Sequence, residues 1–160
     1  MSVQTELSTA RDRALDQHAP IIVGYDGSPE SKLAVQVAAE RACPGGTVVP
    51  IHVTVPASDW LGSSSYEPIV AHTHHAAQIL LADLDDLDVG EATVEPELIE
   101  GDPADALLRI ARSRDAREIV IGSRGRGRLR SLLGSTSHAL LERADRPIVI
   151  VPRGALDDDS

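Results

Sequence analysis

Residues 118–152 read EIVIGSRGRGRLRSLLGSTSHALLERADRPIVIVP. Ile119-Val120-Ile121 and Ile148-Val149-Ile150-Val151 are short β-branched runs of the kind found in strands buried on both faces. Between them lie a loop rich in glycine and arginine and a helical segment opening at Gly134-Ser135. Strand, loop, helix, strand is the unit from which a parallel sheet is built. The stretch also suits a phosphate. Glycines let backbone N–H groups approach closely, a helix N-terminus offers unpaired N–H groups with partial positive charge, and Arg124, Arg126, Arg128 and Arg130 add formal charge.

The rest of the chain repeats the unit. Pro20–Tyr25 is an apolar run stopped by Asp26-Gly27, which reads as a buried strand meeting a turn. Ser28 is suited to cap a helix with Pro29 in its first position, and Leu33, Ala34, Val37, Ala38 and Ala42 form its apolar stripe before Pro44-Gly45-Gly46 ends it. Thr47–Val55 is a second strand, in which Pro50 implies a strand start or an edge-like position. A loop of about twelve residues, Pro56–Glu67, precedes helical spacing over Tyr66–Leu87. Thr93–Ile99 reads as a third strand. Gly101-Asp102-Pro103-Ala104-Asp105 is a helix start with an Asp cap, and Leu107, Leu108 and Ala111 form the buried face. Arg117–Gly122, Gly134–Ala144 and Pro147–Pro152 complete five strands and four helices. The expected fold is α/β, a single domain with a parallel sheet, right-handed crossovers and helices on both faces. The expected bounds are a flexible N-terminal tail over 1–18, one domain over 19–153 and an acidic C-terminal tail over 154–160.

Composition narrows the function. The 160-residue chain carries a formal charge of −10, which opposes nucleic acid and acidic membranes as general partners. Eight of its fifteen Lys and Arg residues lie from Arg109 to Arg130, so positive charge gathers before and within the loop. With three aromatic residues, Tyr25, Trp60 and Tyr66, it also lacks the stacking platforms of single-strand binders. No apolar run approaches the ~20 residues of a membrane span. One cysteine, Cys43, allows no internal disulfide and fits a reducing cytoplasm. It is read as a small apolar residue at a helix end.

Two phosphate motifs are excluded. A P-loop requires a Gly-Lys-[Ser/Thr] ending, and the only lysine is Lys32. A dinucleotide fingerprint GxGxxG starting at Gly125 would need glycine at position 130, which is arginine, and it would follow the first strand rather than the fourth. In parallel sheets of this kind ligands sit beyond the carboxyl ends of the strands, where strand order reverses. Asp26-Gly27 and Gly122–Gly127 both follow strand ends and face one another if strands one and four are neighbours.

Taken together, IIVGYDGSPESKLAV, EGDPADALL and IVIGSRGRG…LLGSTSHALLERADRPIVIVP resemble the universal stress proteins from about Pro20 to Pro152. The resemblance implies a five-stranded Rossmann-like sheet of order 3-2-1-4-5, similar to adenine nucleotide alpha hydrolase-like domains. It implies ATP as the ligand, with or without Mg2+, held by a pattern Gly-x2-Gly-x9-Gly-[Ser/Thr]. By position, Asp26 would approach the ribose or adenine side, and Val53 and Ile121 would line the adenine pocket. Gly122 and Gly125 would let backbone reach the phosphates, Arg124 would add charge, and Gly134, Ser135 and Thr136 would donate from the helix start. One feature departs from the pattern: RGRLRSLL places eight residues, not nine, between Gly125 and Gly134. A residue of chain spans ~3.3 Å, so the shortening is comparable with a hydrogen-bond length.

The resemblance implies a nucleotide-gated homodimer acting in a stress response, with protein partners unidentified. In order 3-2-1-4-5 the uncharged run Ile148–Val151 is an edge, and a two-fold copy pairing there would cover it. One alternative is a family member that does not bind ATP and works through protein partners. A second is a slow ATP hydrolase, for which only Asp26 and His138 offer themselves as bases, so catalysis is not the expected role. His72 and His75 would share a helix face, with His74 pointing away. With no third ligand at suitable spacing they read as a polar helix surface rather than a metal site.

Overall fold

In a computed structural model of the chain, residues 12, 16–54, 78, 80–123 and 133–152 are described. The strands are β1 (Ile21–Gly24), β2 (Thr47–Thr54), β3 (Thr93–Val94), β4 (Glu97–Glu100), β5 (Glu118–Gly122) and β6 (Ile148–Val151). Among the described residues the complete helices are α1 (Pro29–Arg41), α2 (Pro103–Ser113) and α3 (Ser135–Arg143); residues 80–82 are also helical and run into a 3-10 turn over Asp83–Asp86, while most of the helix expected over Tyr66–Leu87 lies outside the described residues. The expected long loop after β2, His72, His74 and His75, Arg124 and Gly125 lie outside the described residues, as do most residues of both expected tails.

All pairings are parallel, in the order β3-β2-β1-β5-β6, with β4 also on β2. The described sheet therefore has six strands rather than five. The difference is one interruption: Thr47 faces Thr93 and Ile51 faces Glu97, so β3 and β4 keep a single register broken at Glu95-Pro96. Pro50 corrects the expectation drawn from it, because it lies fully buried inside an eight-residue strand paired on both sides. The carbonyls of Val48 and Thr54 accept from Glu95 and Gly101, and ladder groups alternate sides with period two. The absent N–H of Pro50 thus points at the interruption, whereas Thr93 and Glu95 turn their N–H groups toward β2 and Pro96, between ladder positions, turns its own nitrogen away. A mid-strand proline is tolerated because the neighbouring strand breaks beside it.

Helices cover both faces. Ile21, Val23, Tyr25 and Val48 pack with Ala34, Val35 and Ala38 of α1 and with Leu80 and Leu84. On the other side Ile22, Val49, Ile51, Ile119 and Ile121 meet Ala104, Leu107, Leu108 and Ala111 of α2 and Leu140 of α3. The helix starts form as their residues dictate: Ser28 Oγ accepts the Ser31 N–H at 3.2 Å, and Asp102 Oδ1 accepts the Asp105 N–H at 2.9 Å. On α1 the residues that reach the sheet are smaller than the stripe suggests. Val35 is buried with Ala34 and Ala38, while Leu33 and Val37 lie half-buried at the flank. Among the described residues no helix is long and apolar enough to cross a membrane.

At the amino end of the sheet, Glu118 opens β5 as a carboxylate only 3% exposed. Arg41 grips it with two bonds of 2.8 and 2.7 Å, and Arg117 adds one of 3.2 Å while also donating to the Arg41 carbonyl. Burial pushes the carboxyl pKa up, but the bonds and charges of Arg41 and Arg117 outweigh it and hold Glu118 below the usual carboxylate range. A group depressed in the folded state stabilises above its unfolded pKa, near 4.3, and that contribution fades as pH falls through the lower folded value. Glu118→Gln is therefore expected to lose about 1–2 kcal/mol at pH 7 and to draw level with the wild type in acid. Urea unfolding from pH 7 to pH 3 checks this, since curves that stay parallel throughout would contradict the pairing.

Candidate functional site

The strand order reverses between β1 and β5, which lie side by side with Ile21 opposite Glu118. Strand β1 leads through Asp26-Gly27 into α1, and β5 ends at Gly122-Ser123. Continuing the registers, in which Gly24 faces Ile51 and Val23 faces Val120, puts Val53, Asp26 and Ser123 in one row. This row marks the floor of the crevice that such sheets use for ligands. Two of its three residues, Asp26 and Val53, are among the residues singled out from the sequence.

Close packing shapes the floor. Gly24 sits where an added Cβ would lie 3.0 Å from Ile121 Cγ2 and 3.3 Å from Leu107 Cδ1, so it admits no larger side chain without movement. Ile121 is 4% exposed, and half-buried Val53 packs against the same apolar cluster. The two residues expected to line the adenine thus pack in one apolar cluster.

Asp26 is half-buried and built into the turn. Its Oδ1 accepts the Ser28 N–H at 3.0 Å, and its own N–H donates to Ser31 Oγ at 3.3 Å. Ser31 Oγ in turn donates to the Ser28 carbonyl at 2.9 Å. One oxygen of the carboxylate therefore has a structural job, holding the entry to α1. From the other side, His52 Nδ1 lies 2.9 Å from the Tyr25 carbonyl. His52, Ser31, Ser123 and Ser137 escape a reading of the sequence because their partners are distant in it or only backbone. The serine of GSRGRG was the one signal for Ser123.

The start of α3 is tied to the end of β5. The Gly134 N–H donates to the Ser123 carbonyl at 2.9 Å, Ser137 Oγ donates to the Gly122 carbonyl at 3.3 Å, and the Ser123 N–H reaches Val151 O at 2.8 Å. Gly134 is the N-cap and has no side chain with which to cap, in contrast to Ser28 of α1 and Asp102 of α2. The first-turn N–H groups of α3 are thus offered without a side-chain acceptor from that position, at the positive end of the helix dipole. Ser135 is exposed and Thr136 half-buried there. His138 lies on the exposed face 3.4 Å from Glu142, one helical turn on. Such an arrangement can hold an anion: donors on one wall, glycine on the other, and an apolar floor beside them. Among the described residues no group of three or more His, Cys, Asp or Glu could hold a metal.

A family model described as the universal stress protein family matches residues 18–152. A universal stress protein of Thermus aquaticus is 34% identical over 133 residues, covering 82% of this chain and 96% of that protein. One from Mycolicibacterium smegmatis is 35% identical over 144 residues, covering 82% of this chain but 47% of its own length, so the chain spans about half of that relative. Among solved structures, a universal stress protein in complex with cAMP superposes with a TM-score of 0.56 at 26% identity, covering 84% of this chain and 97% of that one. Matched across its sheet, both helix layers and the strand ends that form the crevice, the chain belongs to the universal stress protein family.

Proposed function

We propose that this protein binds an adenine nucleotide, ATP, in the crevice beyond β1 and β5 and acts as a homodimeric stress-response module in the cytoplasm. The observation that carries the reading is the glycine-capped start of α3 bonded to the end of β5 at the point where strand order reverses. On this reading Val53 and Ile121 line the base and Asp26 meets the ribose or adenine. Gly122 and Gly125 let backbone approach the phosphates, Arg124 adds charge, and Gly134, Ser135 and Thr136 donate from the helix end. The cAMP held by the solved relative supports the same ligand class. The dimer would form through β6, which has β5 on one side and no strand on the other among the described residues. The role is binding and signalling rather than turnover.

A second reading has a specific observation in its favour. Eight residues between Gly125 and Gly134, one fewer than the ATP pattern, suit a family member that works through protein partners without ATP. Thermal unfolding with ATP, AMP and inorganic triphosphate decides between them. At a hundred times Kd, ATP adds ~2.7 kcal/mol, which for a chain of this size raises Tm by about 5–10 °C. No shift with ATP or AMP at millimolar concentration selects the second reading. Sedimentation of the same samples is expected to give a dimer at micromolar protein, and monomer alone would remove the edge-strand interface.

A further inference from the structure

We propose that His52 is a positioning residue for the nucleoside end of this site, holding through its Nδ1–H the peptide that carries Asp26. The inference rests on the nucleotide reading above. A carbonyl oxygen only accepts, so the 2.9 Å contact with the Tyr25 carbonyl requires the proton on Nδ1 and, in the neutral ring, leaves Nε2 as the acceptor. The Tyr25–Asp26 peptide is a rigid plane in which the Tyr25 C=O and the Asp26 N–H point in opposite directions. His52 holds the first and Ser31 Oγ the second, at 3.3 Å, so the plane is clamped at both edges. The chain of bonds runs on from Ser31 to Ser28 and returns to Asp26 Oδ1.

Placement links this clamp to the ligand. With Gly24 opposite Ile51, the next row of the register pairs Tyr25 with His52, and the row after it pairs Asp26 with Val53. The His52–Tyr25 bond therefore sits directly behind the two residues that flank the nucleoside, and it spans β1 and β2 where the paired rows of β1 end. Holding a polar group within a fraction of an ångström is what such supporting bonds contribute to a binding site. Losing this one should loosen the Asp26–Val53 pair while leaving the donors of α3, which lie across β5, in place.

The test compares wild type with His52→Asn, His52→Gln and His52→Leu in the full chain. Asn places its amide nitrogen the same number of bonds from Cα as Nδ1, Gln sets it one bond farther, and Leu has none. H52L and H52Q are expected to weaken ATP and AMP by about fivefold to tenfold, the worth of one hydrogen bond, and H52N by no more than about twofold. Inorganic triphosphate should bind all four alike. Equal ATP affinity for H52N and H52L, or a parallel loss of triphosphate binding, would overturn the inference while leaving the nucleotide reading intact. A wild type that binds neither ATP nor AMP overturns that reading and this inference with it. Should H52L fail to fold, nitrogen-15 spectra of the wild-type imidazole still decide: Nδ1–H at neutral pH is required, and the Nε2–H tautomer refutes the clamp.

Discussion

Arg146→Met is expected to lower stability by about 2–4 kcal/mol, and Tm by about 5–15 °C in a chain of this length. Arg146 lies just before β6, and its side chain is 1% exposed. Nη1 donates to the carbonyls of Ala111 and Ala116 at 2.6 and 2.7 Å, and Nε reaches Asp145 Oδ1 at 2.9 Å. Ala111 stands in the last turn of α2, where carbonyls run out of helical donors, and Ala116 lies in the link to β5. One guanidinium thus ties the end of α2, the entry to β5 and the entry to β6. Methionine would fill much of the volume but withdraw the donors. Ala111 O would keep the Ala116 N–H at 2.9 Å, whereas the buried carbonyl of Ala116 would lose its arginine. Asp145 would keep Arg112 at 3.2 Å. Burial raises the Asp145 pKa, and the bonds from Arg146 and Arg112 more than offset it, so in R146M the carboxyl should titrate higher. Arg146→Lys supplies charge but not the planar fork and should recover only part of the loss. Urea unfolding of both variants measures this; an R146M variant within 0.5 kcal/mol of wild type, the range of an ordinary surface change, would show the contacts to be dispensable.

How far the fold is legible in the sequence follows the range of the interactions involved. Helix starts at Ser28-Pro29 and Asp102-Pro103 were legible because a cap bond spans three residues, and both form as read. Alternating apolar runs and helical stripes likewise gave a parallel sheet, since burial on both faces leaves its mark in each strand separately. The split of the third strand shows in the sequence only as Pro96, whose meaning depends on Pro50 standing opposite it on the adjacent strand. Val35 does not stand out in the sequence from Leu33 and Val37, and only the docking of the helix buries it while leaving those two half-buried at the flank. At the site, Asp26 and Gly134 announce themselves by position at a strand end and a helix start. His52 does not: its partner is the backbone of a residue twenty-seven positions away. The same holds for Cys43, whose sulfur lies 3.6 Å from His18 Nδ1, a neighbour that separation in the chain conceals. Arg146 reads in sequence as one more surface charge, and only the packed fold turns it inward.

Gly27→Ala should cost about 2–4 kcal/mol although it adds a single methyl group, because two separate penalties fall on the same atom. The first is conformational. Gly27 has φ +76°, in the left-handed region, where a Cβ crowds its own backbone at a cost of about 1–2 kcal/mol. The second is steric: that Cβ would lie 2.2 Å from Leu80 Cδ1 and 3.1 Å from Leu80 Cγ. Leu80 is 9% exposed and packed in the cluster formed by Tyr25, Ala34 and Val35, so it cannot swing away without opening a gap there. The two penalties separate in a double-mutant cycle. Leu80→Ala alone should cost about 2–3 kcal/mol as a partly collapsible cavity, and adding Gly27→Ala to it should cost only the conformational share, giving a coupling of about 1–2 kcal/mol. Additive single changes would mean that Leu80 moves aside freely and that φ alone demands glycine. The position matters beyond stability. Gly27 separates Asp26 from Ser28, and the bond between Asp26 Oδ1 and the Ser28 N–H closes over it. A turn forced open at Gly27 should therefore also weaken ATP, by shifting the carboxylate that the proposed site places beside the nucleoside, and Leu80→Ala should restore part of that affinity only to the extent that it relieves the clash.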